Sequence, residues 1–364
     1  FFFVSLVSMF RGVLGTSSSI LRRSISTRCY SSHTPMITII DGDGIGPELM
    51  DSVVGVLSAA EVPITWERFS NIGSDHSDSI DELVISLSSN RVGLKGPLFT
   101  PVNAHGVKSR NLRIRRSIDL FANIVPIKSI PTIKCRHDDV DLVVIRENTE
   151  GEYSSLENMV APGVVQSLKV ITRSASLRIA RYAFDYAVRH NRKKVTAVHK
   201  ANIQKLSDGE FLSCCRAVAE EFPDIEYEEM IVDNASMQMV MRPQQFDVVL
   251  TPNLYGAILQ NIASGLVGGP GIVPGANVGT RGHAVFESGA RHVGFDISGK
   301  NIADPIGSLL TSVMMLRHLD LNEHATRIEN AVYETVREKQ VRTQDIGGTS
   351  TTRQFTKAVI DNLA

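Results

Sequence analysis

The stretch ITIIDGDGIGPE, residues 37–48, sets the terms on which the rest of the chain is read. Its first four residues are rich in β-branched side chains and read as a short buried strand. Pro47 stands where a helix begins, because a proline in the first turn needs no N–H donor and arrives with a helical φ. Gly42, Gly44 and Gly46 make a glycine turn between them, which invites a dinucleotide-fold reading. The third glycine comes too early for GxGxxG spacing, so the usual pyrophosphate fingerprint is not met.

Working outward, the alternation of strand and helix recurs. Short β-branched runs lie at Ile37–Ile40, Ile64–Phe69, Leu142–Ile145, Val195–Val198, Ile225–Val232 and Val248–Leu250. Segments with apolar residues at helical spacing lie among them, such as Pro47–Ala60, Ser176–Arg189 and Gly209–Phe222. Such alternation predicts an α/β fold. A Gly- and Pro-rich connector, Gly265–Gly282, reads equally well as a passage between domains or as an irregular surface loop.

With 364 residues, 43% hydrophobic and 21% charged, the chain can bury a large core in one large or two closely joined domains. A net charge of −1 with both signs interspersed excludes the basic face that nucleic acid requires. The most apolar stretch, Phe1–Phe10, stops at Arg11, far short of the roughly 20 residues needed to span a bilayer. No Asp or Glu occurs before Asp41, while Arg11, Arg22, Arg23 and Arg28 stand among Ser and Thr. That is the composition of a mitochondrial transit peptide. We therefore expect residues 1–35 to be a leader, with Phe1–Ser8 upstream of a start at Met9, a matrix-protease cut after Tyr30, and the mitochondrial matrix as destination. Beyond that cut remain Cys135, Cys214 and Cys215, an odd number without metal-ligand spacing, expected reduced and, for the adjacent pair, packed in a helix.

Further motifs follow in order: KGPLFTP (95–101), RENTEGEYSS (146–155), AVHKANI (197–203), PNLYG (252–256) and Gly347-Gly348. Together with the opening turn, these runs resemble the isocitrate and isopropylmalate dehydrogenase family from Ile37 to the C-terminus. The resemblance implies a discontinuous large α/β domain, residues 36–120 and 268–364, and a smaller dimer-forming domain, residues 121–267, with an active-site cleft between domains. Within the family, RENTEGEYSSLE and the Cys214–Cys215 pair resemble the mitochondrial NAD-dependent isocitrate dehydrogenases of the tricarboxylic acid cycle, hetero-oligomers of catalytic and regulatory chains. The runs LRIRRSIDLFAN (112–123), GARH (289–292) and VRTQDIGGTSTT (341–352) are most similar to the non-catalytic β type, with the γ type next.

The chemistry of such an enzyme states what to look for. Isocitrate carries three carboxylates and loses a hydride and then CO2. Arginines can pair with its carboxylates, a divalent metal can hold the hydroxyl and the developing enolate, and a proton donor completes the reaction. By resemblance, Thr100, Ser109, Asn111, Arg115, Arg146 and Asn202 are substrate-binding, and Tyr153 and Lys200 are catalytic. Lys200, Asn202 and Asp233 occupy positions that in this family reach into the neighbouring chain's site.

The departures are as informative. An expected Arg-Pro is Val125-Pro126, and two expected metal-binding aspartates are Ala257 and Asn261, leaving Asp233 of that set. The coenzyme loop reads GARHVG (289–294), with one extra residue before Asp304-Pro305. The resemblance thus implies a structural and regulatory subunit that pairs with a catalytic isocitrate dehydrogenase subunit in a heterodimer and higher hetero-oligomer. NAD and Mg2+ or Mn2+ would be carried mainly by that partner. Isocitrate or citrate is the expected small ligand, and His292, Val293 and Asp304 are the candidate contacts for a nucleotide effector. A catalytically competent decarboxylating hydroxy-acid dehydrogenase with divergent ligands, acting on isocitrate or isopropylmalate, is the alternative.

Overall fold

The computed structural model describes residues 34–70, 72, 77–102, 109–289 and 292–363. The expected leader, apart from Thr34 and Pro35, lies outside them, as do Ala290 and Arg291 of the GARH run. A ten-stranded sheet runs in the order β2 (Thr65–Phe69), β1 (Met36–Ile40), β3 (Val92–Lys95), β12 (Ala284–Phe286), β11 (Ala276–Val278), β4 (Ala122–Lys128), β5 (Asp141–Glu147), β10 (Val248–Thr251), β8 (Lys194–His199) and β9 (Glu226–Ile231). A separate antiparallel hairpin joins β6 (Gly151–Ala161) to β7 (Val164–Val170). The helices among the described residues are α1 (Gly46–Ala59), α2 (Ser77–Asn90), α3 (Arg110–Ser117), α4 (Arg173–Arg189), α5 (Ser207–Ala219), α6 (Val232–Met241), α7 (Asn253–Val267), α8 (Ile306–His318), α9 (Asn322–Glu338) and α10 (Thr352–Asp361).

All six strands expected from β-branched runs are present, and the three expected helices appear as α1, α4 and α5. Pro47 is the second residue of α1. Gly42 is required where it stands: its φ is 79°, and a Cβ there would lie 2.3 Å from the Pro97 carbonyl oxygen. The glycine turn therefore lets the chain press against the loop after β3.

Pairing divides the sheet. Strands β2, β1, β3 and β12 are mutually parallel, as are β5, β10, β8 and β9. Between these sets, β12–β11, β11–β4 and β4–β5 pair antiparallel. Such parallel interiors demand apolar runs, and β5 is buried from Leu142 to Glu147. The Gly- and Pro-rich connector is not a surface loop, because it contributes β11, whose Ala276 and Asn277 are buried at the seam. Helix α8 is buried without a break from Ile306 to Val313, its Thr311 and Ser312 hydroxyls donating to the helix's own carbonyls. Cys214 and Cys215 are free thiols buried in α5, as packing residues should be.

Candidate functional site

A cavity of about 500 Å³ gathers six of the expected substrate-binding and catalytic residues, Thr100, Ser109, Asn111, Arg115, Arg146 and Tyr153. Ser109 caps α3 by accepting the Leu112 N–H, and its hydroxyl lies 3.1 Å from that of Thr100. Asn111 donates to the Leu98 carbonyl at 3.0 Å, while its own side-chain oxygen is buried without a partner. Arg115, in the last turn of α3, is 3.7 Å from Glu287, which is itself 2.5 Å from Lys95. Arg146, at the end of β5, gives two hydrogen bonds to Asn253 at 2.9 and 2.6 Å and lies 5.0 Å from the centre of the Tyr153 ring.

Two buried guanidiniums in one cavity define its electrostatics. Burial lowers the pKa of Arg115, and burial followed by the charge of Arg115 lowers that of Arg146 to about 10. Both remain protonated at neutral pH. Such a pair, with hydroxyl and amide groups at its rim, suits a small anion with more than one carboxylate. Asn253 and Lys95 lie inside motifs visible in the sequence, but their contacts depend on strands and helices distant in the chain. Glu287 carried no such signal.

The same cavity does not fit a divalent metal. Ala257 and Asn261, one turn apart on α7, line it and offer a methyl group and a neutral amide. Among the described residues no group of three or more His, Cys, Asp or Glu side chains could hold a metal ion. Val125, where an arginine was expected, is completely buried on β4 and packed among the large core. It is a core residue rather than a cleft residue.

The three candidate nucleotide contacts are divided between two cavities. Val293 lines the first, Asp304 lines a second of about 360 Å³, and His292 borders both. The second cavity is walled by Ile45, Leu49, Ile297 and Ile302, with Asp304 and Asp345 its carboxylates. One oxygen of Asp304 accepts the Ile306 N–H at 2.7 Å, and the other is buried without a partner. Burial and the facing charge of Asp345 hold the Asp304 carboxyl well above the usual carboxylate range.

Lys200, Asn202 and Asp233 do not line either cavity. Lys200 follows β8, Asp233 opens α6, and their side chains pair at 2.7 Å with 27% and 68% exposure. Lys200 holds the Asp233 carboxyl below its ordinary range. Asn202 is exposed, and so are the apolar residues Ile203 and Leu206 that follow it and Met237 and Met241 of α6. Leu156, Met159, Val165 and Leu168 of the β6–β7 hairpin are likewise exposed.

A family model described as isocitrate/isopropylmalate dehydrogenase matches residues 36–360. The chain is 54% identical over 360 residues to a Dictyostelium discoideum protein named as a mitochondrial isocitrate dehydrogenase (NAD) regulatory subunit, covering 96% of this chain and 99% of that one. It is 49% identical over 353 residues to Arabidopsis thaliana isocitrate dehydrogenase (NAD) catalytic subunit 5, mitochondrial, covering 95% and 94%. The crystal structure of an isocitrate dehydrogenase from Methylococcus capsulatus superposes with a TM-score of 0.86 at 42% identity, covering 90% of this chain and 99% of that one.

Proposed function

This chain belongs to the isocitrate/isopropylmalate dehydrogenase family, and from that premise we propose that it is a structural and regulatory subunit of a mitochondrial NAD-dependent isocitrate dehydrogenase, in the matrix, which completes a catalytic partner's active site. The reaction served is isocitrate plus NAD to 2-oxoglutarate, CO2 and NADH. Relatives of similar identity bear regulatory and catalytic names. The reading therefore rests on residues. One observation carries it: Ala257 and Asn261 leave the chain's own cleft without carboxylates for a metal, while the Lys200–Asp233 pair stands outside that cleft at the surface.

In this reading NAD and Mg2+ or Mn2+ are held mainly by the partner. Arg115 and Arg146 bind the carboxylates of isocitrate or citrate in this chain's own cleft, with Tyr153 beside them, and Lys200 presents its ammonium proton to the partner's substrate. The exposed apolar residues of α6 and the β6–β7 hairpin support burial against a partner chain. The order of strands supports the proposed domains, since residues 36–120 and 268–364 supply one end of the sheet and residues 121–267 the other. A further part of the reading is a nucleotide effector in the Asp304 cavity, favoured by its unpartnered buried oxygen.

The test is turnover by the chain alone, by the chain with a catalytic partner, and by the same assembly carrying Lys200→Met. The chain alone is expected to be inactive and the assembly active. The variant should assemble normally and lose about a hundred-fold in rate, as removal of a positioned proton donor does. A normal rate in the Lys200→Met assembly refutes the lent lysine. Robust turnover by the isolated chain selects the divergent enzyme instead.

A further inference from the structure

We propose that Asp208 is the positioning residue that fixes Lys200, an inference that rests on the reading of Lys200 as the group lent to a partner. Asp208 is the second residue of α5 and is completely buried. Its two carboxylate oxygens serve two different donors. One accepts the Lys169 ammonium from β7 at 2.6 Å, and the other accepts the backbone N–H of Lys200 at 2.7 Å. Lys169 also donates to the Tyr255 hydroxyl on α7 at 3.1 Å, lies 4.5 Å from the centre of that ring, and is 3.4 Å from Glu152 on β6. The hairpin, α5 and α7 thus converge on a single carboxylate whose second oxygen holds the main chain of Lys200.

The turn it holds is closed by its own hydrogen bonds. The Lys200 carbonyl accepts the Ile203 and Gln204 N–H groups at 3.0 and 2.9 Å, and the Asp208 N–H donates to the Gln204 carbonyl at 3.0 Å. The Ala201 N–H donates to His199 Nδ1 at 3.0 Å. Asp208 ties this small unit to the hairpin and to α7. A lysine side chain is a long flexible stem with a point charge at its tip, so the place its amine reaches depends on where the stem begins. Fixing the Lys200 backbone fixes that origin. The charge balance explains why an acid can be buried there: an isolated buried carboxylate is costly, and the Lys169 ammonium neutralises it.

Asp208→Asn keeps the size of the side chain but replaces one acceptor oxygen with an NH2 group, so one of the two donors meets another donor. In the assembled enzyme with Mn2+, NAD and isocitrate, the variant is expected to lose about ten- to a hundred-fold in kcat, as a displacement on the ångström scale does, with the isocitrate KM within about twofold. Deuterium exchange at the Lys200–Gln204 amides should accelerate. A merely structural aspartate would change the amount of assembled enzyme but neither its kcat nor local exchange in the 200–204 turn. Unchanged kcat and exchange in an assembled Asp208→Asn enzyme, beside a Lys200→Met assembly that has lost its turnover, overturns the proposal. If Lys200→Met leaves the rate intact, the reading of Lys200 falls, and exchange alone decides whether Asp208 holds the turn: faster exchange upholds it and unchanged exchange ends it.

Discussion

Asp304→Asn should stabilise the chain at neutral pH and not at acid pH. The native carboxyl sits in the second cavity with one oxygen on the Ile306 N–H and the other without a partner, facing Asp345. Asparagine keeps an oxygen for Ile306 and offers an N–H toward Asp345. At neutral pH the native chain must either keep a proton on this carboxyl or leave its buried oxygen charged and unpaired, which costs about 1–3 kcal/mol and vanishes where the carboxyl is protonated in both states. For a chain of this size each kcal/mol is worth about 1–2 °C in Tm. A gain of roughly 1–6 °C at pH 7 follows from those two magnitudes. The sign with pH comes from the raised carboxyl. A group whose folded pKa lies above its unfolded value keeps its proton in the native state while the unfolded chain releases it, so native stability falls as pH rises above the ordinary carboxylate range of about 4. The variant lacks that loss. Differential scanning calorimetry of both proteins from pH 4 to pH 8 should show Tm values that nearly coincide at the acid end and separate as pH rises. Every other titrating group is shared, so the difference reports Asp304 together with its effect on the facing Asp345. A Tm difference that is constant across the range, or that narrows toward pH 8, refutes the reasoning.

Placing Ala257→Asp and Asn261→Asp together puts two carboxylates one turn apart on the cavity face of α7. Calorimetry should detect Mn2+ binding absent from the parent, with no NAD-linked turnover by the isolated chain; substantial turnover would contradict the subunit reading. Lys95→Met removes the cation 2.5 Å from Glu287, both side chains being nearly inaccessible, and breaking a buried pair in this way should cost about 3–5 kcal/mol in urea unfolding. A loss below about 1 kcal/mol would mean that Arg115, at 3.7 Å, and Asn277, which donates its side-chain N–H to Glu287 at 2.7 Å, suffice for Glu287.

Much of the fold was legible because its strands announce themselves. The runs at Val195–Val198 and Val248–Leu250 are continuous and β-branched, as strands buried on both faces must be, and both appear in the sheet. β11 and β12 escaped notice because three-residue strands carry too little periodicity, and β11 hides in a segment whose glycines and prolines read as loop. In the cleft, Arg115, Arg146 and Tyr153 were named from motif order and do meet in one cavity. Val125 was noticed as a missing arginine, but its place in the core depends on the packing of β4, which spacing does not reveal. Asp208 is not legible in the sequence because its partner Lys169, and the Tyr255 hydroxyl to which Lys169 also donates, approach through folding alone.

The seam in the sheet also bears on how the chain acquires its structure. Residues 121–267 supply β4, β5, β10, β8 and β9 from one continuous stretch. The other end of the sheet pairs Val92 with Ala284, so its closure joins segments separated by more than half the chain. Bringing distant segments together is entropically slow, and contacts local to one stretch form first. During synthesis or threading into an organelle, the first three strands emerge long before β12, and their apolar faces and open edges stand unpaired in the interval. The vulnerable period for aggregation or proteolysis is therefore set by the delay between the two ends of the chain, and a chaperone would be needed most at β1 to β3.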